Sequence, residues 1–494
     1  MLGCTGMAYA TAMNFGPVRV GSRQTAAVNV TIPAEVKLGT VEVRTAGVEN
    51  LDFTSAGRVH CRAGTAHDDN RVCVVRVTFK PLYSGRRYGA VVFADVDGDI
   101  VGTTYIYGKG VAPQAMFMPG THTPITGISH PNGLAVDEQG NLYVTDYQSG
   151  SLYKETLLSN GEYSLSTIAS GLNSIRAVAV DGAGNVFVGG AGIYILKETL
   201  QPGGKYRPSR IGSEMGATGG LAVDGGGNVY VTDYNFGQVL KEAPSFDGTY
   251  TQTKIAIGLQ GATGIAADSH GNLYIATEKR ICIERLSGRK YMRTSITGAF
   301  RAPQGMALDG IGDIYVSDYS SGGVYKETLK GGAYVESLLV TNLGGNYVAV
   351  DGAGNLYVSD ADRGIITRID SAHPPSLSFA ATRSREMSTD SPQSVDVFNL
   401  GNLALRISAV SYPADFPERR SHSSVCAQGT SLPPGGACTL TISFSPIAPN
   451  PGGASIPLTE KVTVITNTLS APALSQPITV TGLNAGSDLQ VSPP

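Results

Sequence analysis

Acidic and aromatic residues recur together at a fixed place in this chain of 494 residues. An aspartate is followed by tyrosine at three of these places and stands without it at a fourth, namely Asp146-Tyr147, Asp233-Tyr234, Asp318-Tyr319 and Asp360. In a turn, the short carboxylate of aspartate accepts backbone N–H groups, and this structural role is the first interpretation of all four. A tyrosine beside it offers rigid apolar area with a hydroxyl group, so the same places are candidate ligand contacts.

Cysteine spacing points to a second kind of chemistry. In two cysteine pairs the positions differ by twelve and the flanking residues are similar. These pairs are Cys61 with Cys73 and Cys426 with Cys438. Neither pair has further ligands at the spacing of a zinc site, so we predict two disulfides, with Cys4 and Cys282 free. Each bond would stabilise by about 3 kcal/mol on the chain-entropy model. Disulfides imply an oxidising compartment, and we therefore expect an extracellular or cell-surface protein, although residues 1–10 are not a signal peptide as written.

Composition limits the classes of partner. The formal net charge is −3 and the pI is about 6.2, so no basic field is expected to attract nucleic acid. No apolar run reaches the ~18 residues of a membrane-spanning helix. Glycine is unusually common, at 63 residues, which suits many tight turns between short strands.

The elements that must position these residues come from a repeat. The phrase Asp-x-x-Gly-Asn-(Leu/Val)-Tyr-Val-(Thr/Ser)-Asp begins at Asp137 and returns in variant form with its first aspartate at Asp181, Asp224, Asp268, Asp309 and Asp351. The copies are 41 to 44 residues apart, and the first five each contain four short strands joined by polar turns. Such a period with a four-stranded meander predicts a six-bladed β-propeller. The first aspartate of each copy is interpreted as a turn residue.

The sixth copy lacks a fourth strand before His373-Pro374-Pro375. Residues 114–128 carry Ile125-Thr126-Gly127, which parallels Ile296-Thr297-Gly298 ahead of the fifth copy. We predict that this segment supplies the missing strand and closes the ring, which removes an open sheet edge.

Strand direction decides which turns share a face. Because strands alternate in direction, the turns between strands two and three must emerge on one face together with the connections between blades. That face would collect the Asp-Tyr pairs, Asp360 and four further residues, namely Phe236, Arg176, Arg301 and Arg363. The opposite face carries short Gly-Asn turns, and we expect it to offer a partner little. The repeated lysines of strand three, at 154, 197, 241 and 326, are expected to lie on a solvated surface.

The two ends of the chain follow another plan. Residues 1–111 and 374–494 show alternating apolar runs typical of antiparallel sandwiches. Asp52-Phe53 and Cys73-x5-Phe79-x-Pro81 at one end match Asp415-Phe416 and Cys438-x5-Phe444-x-Pro446 at the other. We therefore predict an all-β chain of three domains: sandwiches at 1–111 and 374–494, with the propeller at 112–373.

These motifs resemble known families. The phrase Pro-x-Gly-Leu-Ala-Val-Asp-x-x-Gly-Asn-Leu-Tyr-Val-x-Asp is similar to the NHL repeat, which builds six-bladed propellers. The end regions resemble immunoglobulin-like domains of the abnormal-spindle/hydin type, which are common in bacterial surface proteins. The NHL family includes protein binders, RNA binders and a few lyases, so the resemblance indicates fold more strongly than function.

Related lyases need several histidines around a metal. Here the repeat region and its end offer His122, His130, His270 and His373, and the strand directions place His130 and His270 on opposite faces. The motifs HExxH, GxSxG and CxxC do not occur. We therefore expect no metal or other cofactor and interpret the histidines as isolated loop residues.

The favoured function is a non-enzymatic extracellular binding or adhesion protein, whose propeller is a platform for a protein or carbohydrate ligand. The alternative is a propeller hydrolase or lyase that acts on a sugar or a peptide. RNA binding is a third hypothesis, which the acidic net charge disfavours. We expect the chain to act as a monomer.

Overall fold

A computed structural model describes residues 12–57, 69–192, 194–213, 215–245, 248–268, 270–288, 290–419, 424–450, 454–469 and 475–485. Within these ranges every regular element is a β-strand, which confirms the all-β prediction. The chain divides into two compact units. The first contains the described residues up to Val111 with Pro124–Gly352 and Leu356–Arg368, and the second contains Ala112–Thr123, Ala353–Asn355 and the described residues from Ile369 onwards.

The first unit begins with two sheets that enclose a common core. Their strands are Met13–Arg19 (β1), Gln24–Ile32 (β2), Leu38–Thr45 (β3), Val48–Glu49 (β4), Phe53–Ser55 (β5), Arg71–Phe79 (β6), Gly85–Asp95 (β7) and Ile100–Val111 (β8). One sheet has the order β1-β8-β7-β3-β4 and the other β2-β6-β5. Four buried phenylalanine rings belong to this core, and the ring centroids of Phe53 and Phe79 are 4.6 Å apart. We call this part the N-terminal sandwich.

Two short strands follow, Ala115–Met118 (β9) and Thr121–Ile125 (β10). The repeats then form the first three blades, with strands Pro131–Val136 (β11), Leu142–Asp146 (β12), Ser151–Leu157 (β13), Tyr163–Ala169 (β14); Ala177–Val180 (β15), Val186–Gly189 (β16), Ile195–Leu200 (β17), Tyr206–Ile211 (β18); and Thr218–Val223 (β19), Val229–Asp233 (β20), Gln238–Pro244 (β21), Tyr250–Ile257 (β22).

The remaining blades have strands Ile265–Ala267 (β23), Leu273–Thr277 (β24), Arg280–Ser287 (β25), Lys290–Ile296 (β26); Pro303–Leu308 (β27), Ile314–Asp318 (β28), Gly323–Lys330 (β29), Ala333–Val340 (β30); and Tyr347–Val350 (β31), Leu356–Asp360 (β32), Ile365–Asp370 (β33). Blades one to five are each a four-stranded sheet in chain order. The sixth sheet has the order β10-β33-β32-β31, so β10 supplies the missing strand as predicted.

The first strands of the blades close into a ring. Each of β11, β15, β19, β23 and β27 contacts the first strand of the next blade, and β31 contacts β11. At the closure, Ile125 and Ile366 share a buried apolar cluster with Leu134 and Leu142 of blade one. These contacts make the repeat region a closed six-bladed propeller, as the period predicted.

The repeated phrase builds the same turn in each blade. In blade one, Oδ1 of Asp137 accepts the N–H groups of Gln139 and Asn141, while Oδ2 accepts the side-chain amide of Asn141 at 2.8 Å. Gly140 follows with a φ of +84°, a conformation that glycine adopts at no steric cost. The interpretation of the first aspartate as a turn residue is therefore confirmed.

The expectation that the lysines of strand three lie on a solvated surface was wrong for Lys326, which is buried, while Lys154, Lys197 and Lys241 are half-buried. Each pairs across the sheet with an aromatic residue of strand two, and its amine lies over a ring: Lys154 over Tyr143, Lys197 over Phe187, Lys241 over Tyr230 and Lys326 over Tyr315. Lys326 is fully buried and its Nζ is 2.8 Å from Asp313. Strand three is an inner strand of the blade, and cross-strand neighbours cover its side chains.

The second unit contains β9 and the strands after the propeller. These are Leu377–Ser378 (β34), Thr382–Arg383 (β35), Gln393–Asn399 (β36), Leu405–Ser411 (β37), Ser431–Leu432 (β38), Ala437–Ile442 (β39), Ile456–Thr466 (β40) and Ser475–Ala485 (β41). One sheet has the order β34-β41-β40-β37-β38 with β35 also paired to β41, and the other is β39-β36-β9. The predicted three-domain division at residues 111/112 and 373/374 stays a prediction.

The cysteines in the described residues follow their predicted states. Cys426 and Cys438 form a disulfide with their Cα atoms 5.0 Å apart, and Cys282 is free and buried. Cys4 and Cys61 lie outside the described residues, so the Cys61–Cys73 bond stays a prediction.

Candidate functional site

The hairpins of the blades define two faces of the propeller. The turns that follow the first aspartate of each repeat lie on one face, which we call the covered face. The turns between strands two and three lie on the other face, which we call the tyrosine face. There, the N–H groups of Tyr147, Tyr234 and Tyr319 donate to carbonyls of the preceding interblade connections, at His130, Ala217 and Ala302.

The second aspartates lie inside the tyrosine face and bind backbone. Asp146 accepts N–H groups of Gln148 and Ser149 at 2.9 Å, and that of His130 in the interblade connection at 3.3 Å. Asp233, Asp318 and Asp360 are likewise buried and accept N–H groups of their own turns, at Phe236, Ser321 and Arg363. Their turn role is confirmed, and these carboxylates position the loops rather than facing solvent.

The aromatic side chains that follow are exposed. Tyr147 and Tyr319 are 41% and 42% exposed, Tyr234 is 52% exposed and Phe236 is 63% exposed. The tyrosines belong to blades one, three and five, while blades two, four and six carry Ala191, Glu278 and Ala361 at the same place. The sequence therefore spaces its exposed tyrosines on alternate blades of this face.

Charged partners orient two of the tyrosines. The guanidinium carbon of Arg176 lies 4.8 Å from the ring centroid of Tyr147, and its Nη2 donates to the tyrosine hydroxyl at 3.3 Å. This hydrogen bond and the arginine charge lower the pKa of Tyr147. Tyr319 donates its hydroxyl to Asp362 at 3.2 Å, and this bond raises its pKa. Each tyrosine thus leans toward the next blade, which fixes the position of its ring.

The remaining predicted arginines have different surroundings. The backbone N–H of Arg301 donates to Asp318 at 2.5 Å, while its side chain is exposed. Arg363 is 60% exposed, donates to the carbonyl of Asn342 at 2.9 Å and lies 3.5 Å from the carboxylate of Asp360. The structure therefore places all the predicted residues on the tyrosine face. The aspartates are buried and support its loops, while the aromatic and arginine side chains are exposed.

Sequence reasoning missed one residue of this face. Tyr347 stands where the other repeats have glycine or alanine at the start of strand one. Its hydroxyl donates to the carbonyl of Gly219 in blade three, which is opposite blade six in the ring, at 2.5 Å. Burial raises the pKa of Tyr347 to about 12. The side chain crosses the central channel, and the contrast YVAVD against GLAVD was the available signal.

The N-terminal sandwich packs on the covered face. The loop before β7 and the first residues of that strand lie against the turns of several blades, where the residue after the first aspartate is glycine in four of six copies, at 182, 225, 310 and 352. A Cβ atom at Gly310 would lie 2.7 Å from the Gly85 Cα, and one at Gly182 would lie 2.6 Å from the carbonyl oxygen of Gly89. These glycines permit close backbone contact. The expectation that this face offers a partner little to bind was wrong, because its glycine turns pack against the protein's own sandwich.

Arg87 is the charged centre of this interface. It is 1% exposed, its Nε binds Asp52 of the sandwich, and its Nη2 lies 2.6 Å from Glu138 of blade one. Burial alone would lower the pKa of Arg87, but Glu138 and Asp52 raise it above its ordinary value. Burial also raises the pKa of Glu138 to about 7, although Arg87 opposes this. Glu138 occupies the position that is glycine in four other repeats. This departure from the repeat provides the carboxylate that pairs with Arg87.

Blade two shows a second exception of the same kind. In four other blades the tyrosine of strand two donates to the first aspartate, for example Tyr230 to Asp224 at 3.0 Å. Blade two has Phe187 there, and Tyr105 of the N-terminal sandwich donates its hydroxyl to Asp181 at 2.7 Å instead. Burial raises the pKa of Tyr105 well above its usual range. The sandwich thus completes a hydrogen bond that the repeat itself lacks.

The channel contains a cavity at its covered end. It has a volume of about 270 Å³ and is lined by first strands of the blades together with Arg86, Arg87 and Tyr88 of the sandwich. Its walls include Ala135, Ala179 and the equivalent alanines of other blades.

The histidines are dispersed, and their separation is as expected. The Nδ1 atom of His270 is 2.9 Å from Nη2 of Arg86, so His270 lies on the covered face, whereas His130 lies on the tyrosine face. Among the described residues, no group of three or more histidine, cysteine, aspartate or glutamate side chains is placed to hold a metal ion. Nor does the described part of the chain contain a helix long and apolar enough to cross a membrane.

The architecture defines the chain as a six-bladed β-propeller protein with additional β-sandwich structure. No protein-family model and no curated protein match the chain. Similar solved structures include virginiamycin B lyase from Staphylococcus aureus, at 12% identity over 67% of this chain and 99% of the other, with a TM-score of 0.38. A gluconolactonase from Xanthomonas campestris matches at 15% identity over 53% and 95%, with a TM-score of 0.42. The WD40 propeller domain of Doa1 matches at 10% identity over 52% and 96%, with a TM-score of 0.37.

Proposed function

We propose that the protein is a non-enzymatic binding protein whose tyrosine face docks a protein partner. One observation carries the proposal: the covered face is occupied by the chain's own sandwich, while the tyrosine face exposes Tyr147, Tyr234, Phe236 and Tyr319. Tyrosine and arginine are enriched among residues that dominate binding energy at protein interfaces. Exposed aromatic side chains that share one face of a rigid scaffold favour an interaction surface.

Rigidity of the framework supports this proposal. The aspartates beneath the aromatic residues bind several backbone N–H groups each, and Arg176 and Asp362 hold two of the tyrosine hydroxyls. Side chains that are already ordered lose less conformational entropy on binding. The face is therefore suited to docking a partner without a large rearrangement.

We further propose that the repeats are of the NHL type and that both ends are immunoglobulin-like domains. Parallel features of the two ends support this. Phe53 stacks on Phe79 at 4.6 Å in one, and Phe416 stacks on Phe444 at 4.8 Å in the other. The preceding aspartates, Asp52 and Asp415, each accept a backbone N–H at 2.7 Å, from Leu82 and Ile447.

The proposal includes export as a monomer to the cell surface or medium. The Cys426–Cys438 disulfide supports it, since such bonds persist in oxidising compartments. Fractionation of the source cells tests the location. Recovery of the protein in the cytosol with both thiols alkylatable would reject export.

The docking proposal is tested by photo-cross-linking followed by affinity measurement. A photo-reactive residue at position 234 should capture one protein partner, and the same residue at position 165 on an outer strand should not. Purified partner should then bind the Tyr147→Ala, Tyr234→Ala, Tyr319→Ala triple variant at least ~30-fold more weakly, the loss expected from a single hot-spot residue.

A matched control replaces three exposed apolar residues of outer strands, Leu165, Met292 and Leu338, which are 41%, 64% and 53% exposed. This control should bind normally. Equal affinity of wild type and tyrosine variant would reject the proposal, and tyrosine-dependent binding to a glycan array would replace the protein partner with a carbohydrate.

A further inference from the structure

A pocket beside the N-terminal sandwich is lined in part by one of the repeat lysines. The pocket has a volume of about 360 Å³ and lies between the β8 region of the sandwich and the outer parts of blades two and three. Its apolar wall includes Val36, Ile100, Val101 and Pro244, and hydroxyl residues such as Thr103 also line it. Lys197 of β17 lines the same pocket.

Aromatic rings flank the Lys197 amine. The Nζ atom lies 5.0 Å from the ring centroid of Tyr250 and 6.0 Å from that of Phe187. Burial lowers the pKa of Lys197, and the nearby Asp181 counteracts this in part. Ring faces attract a cation but do not neutralise its charge. The amine therefore sits in a largely desolvated place with incomplete electrostatic compensation.

Among the described residues, Asp181 is the acidic group that acts on Lys197, and it is already engaged. Asp181 accepts hydrogen bonds from the N–H groups of Ala183 and Asn185, from the Asn185 amide and from the Tyr105 hydroxyl. Within the described residues, Lys197 has no carboxylate within 4 Å of its amine. Lys326, at the same repeat position in blade five, has Asp313 at 2.8 Å. Blade two thus has the lysine of the repeat but lacks the close carboxylate that Asp313 provides in blade five.

We propose that this pocket binds a small organic monoanion, with its carboxylate on Lys197 and its apolar part against Ile100, Val101 and Pro244. A half-buried cation beside a pocket without a close counter-charge is stabilised by an incoming anion, because the ion pair offsets the desolvation of both groups. A single lysine matches one negative charge, and the apolar wall matches a short hydrocarbon tail. This site is separate from the tyrosine face and does not depend on the partner proposed for that face.

The test uses hexanoate as the probe and its uncharged amide as the matched ligand. Isothermal titration calorimetry should show hexanoate binding to the wild type and at least ~10-fold weaker binding of hexanamide, since a charge-assisted contact is lost. Lys197→Met keeps the unbranched stem over the rings and should weaken hexanoate binding by a similar factor. Lys241→Met, at the same repeat position in blade three, should leave it unchanged.

A second measurement needs no variant. In the wild type, hexanoate should slow acetylation of Lys197 by a limiting acylating reagent without slowing that of Lys241, as read by peptide mass spectrometry. Absence of hexanoate binding at tens of millimolar, equal binding of hexanamide, or binding that survives Lys197→Met would each overturn the proposal.

Discussion

The two faces of the propeller come from the same six repeats, yet one packs against the protein's own sandwich and the other carries exposed aromatic side chains. The turns of the covered face have glycine after the aspartate in four repeats, whereas those of the tyrosine face have tyrosine after it in three. A glycine turn admits a neighbouring backbone, and a tyrosine turn extends a rigid ring into solvent. The residue after the aspartate thus differs between a face that packs within the chain and a face that exposes aromatic rings to solvent.

Departures from the repeat sharpen this contrast. On the covered face, Glu138 replaces glycine and pairs with Arg87 of the sandwich. In blade two, where Phe187 replaces tyrosine, Tyr105 of the sandwich donates its hydroxyl to the first aspartate, Asp181. On the tyrosine face, Tyr347 replaces a glycine and crosses the channel. Residues that depart from the repeat therefore mark places where the ring makes contacts that a single blade does not need for its own fold.

The largest expected effect comes from Arg87→Met on the covered face. The substitution leaves the buried carboxylates of Asp52 and Glu138 without their cation, which should lower the free energy of unfolding by about 3–5 kcal/mol. Urea denaturation followed by circular dichroism measures it. Arg176→Met on the tyrosine face is the control and should change stability by less than ~0.5 kcal/mol. Similar losses for both variants would contradict the assigned roles of the faces.

Glycine-to-alanine substitutions in the two turns of blade two should affect stability differently on the two faces. Gly182→Ala places a Cβ 2.6 Å from the Gly89 carbonyl oxygen, whereas Gly192→Ala in blade two's turn on the tyrosine face meets nothing within 4 Å. We expect the first to cost about 1–3 kcal/mol, because backbone must shift, and the second almost nothing. Thermal unfolding of both variants measures the difference. A Gly182→Ala variant as stable as the wild type would argue against a close-packed sandwich.

Removal of the Tyr105 hydroxyl should lower the free energy of unfolding by less than the two preceding substitutions do. Tyr105→Phe removes the bond to Asp181 and should cost about 1–2 kcal/mol, since it leaves a buried acceptor with one partner fewer. Phe187→Tyr, introduced in the same chain, restores the residue that other blades use and should recover part of the loss. Tyr147→Phe on the exposed face is the matched control, with an expected change below ~0.5 kcal/mol. A cycle of unfolding free energies that shows no coupling between positions 105 and 187 would refute the shared role.

A further expected effect is a pH dependence of stability at the covered face. Burial raises the pKa of Glu138 from its ordinary 4.5 to about 7 in the folded state. Its contribution to stability is therefore complete below the unfolded pKa and is lost as the pH rises through 7. Glu138→Gln should flatten the stability profile between pH 5 and 8, whereas Glu278→Gln on the exposed face should not. Parallel profiles for the wild type and Glu138→Gln would count against this assignment.

The repeats and their closure could be predicted from the sequence because both depend on the recurrence of one sequence pattern. The period of 41 to 44 residues, the truncated sixth copy and the echo at Ile125 were enough to predict a six-bladed ring closed by an earlier strand. The turn roles of Asp137 and Asp146 followed in the same way, since an Asx turn is completed by residues nearby in sequence.

The covered face could not be predicted in this way. Its contacts join residues far apart in sequence, such as Arg87 with Glu138 and Arg44 with the carbonyl of Leu200. Charge alternation predicts solvated lysines in strand three, but the cross-strand aromatic neighbour covers the amine, as Tyr143 does for Lys154. Both errors concern partners outside the local turn or strand.

The central claim is that one face is buried by the chain itself while the other is free, and hydroxyl-radical footprinting tests it most directly. In the intact protein, Tyr234 and Phe236 should be oxidised rapidly, with Tyr147 and Tyr319 close behind, while Tyr88 and Tyr105 of the sandwich interface should be strongly protected. Oxidation of Tyr88 and Tyr105 at the rate of Tyr234 would contradict the account, because the covered face would then be open to solvent.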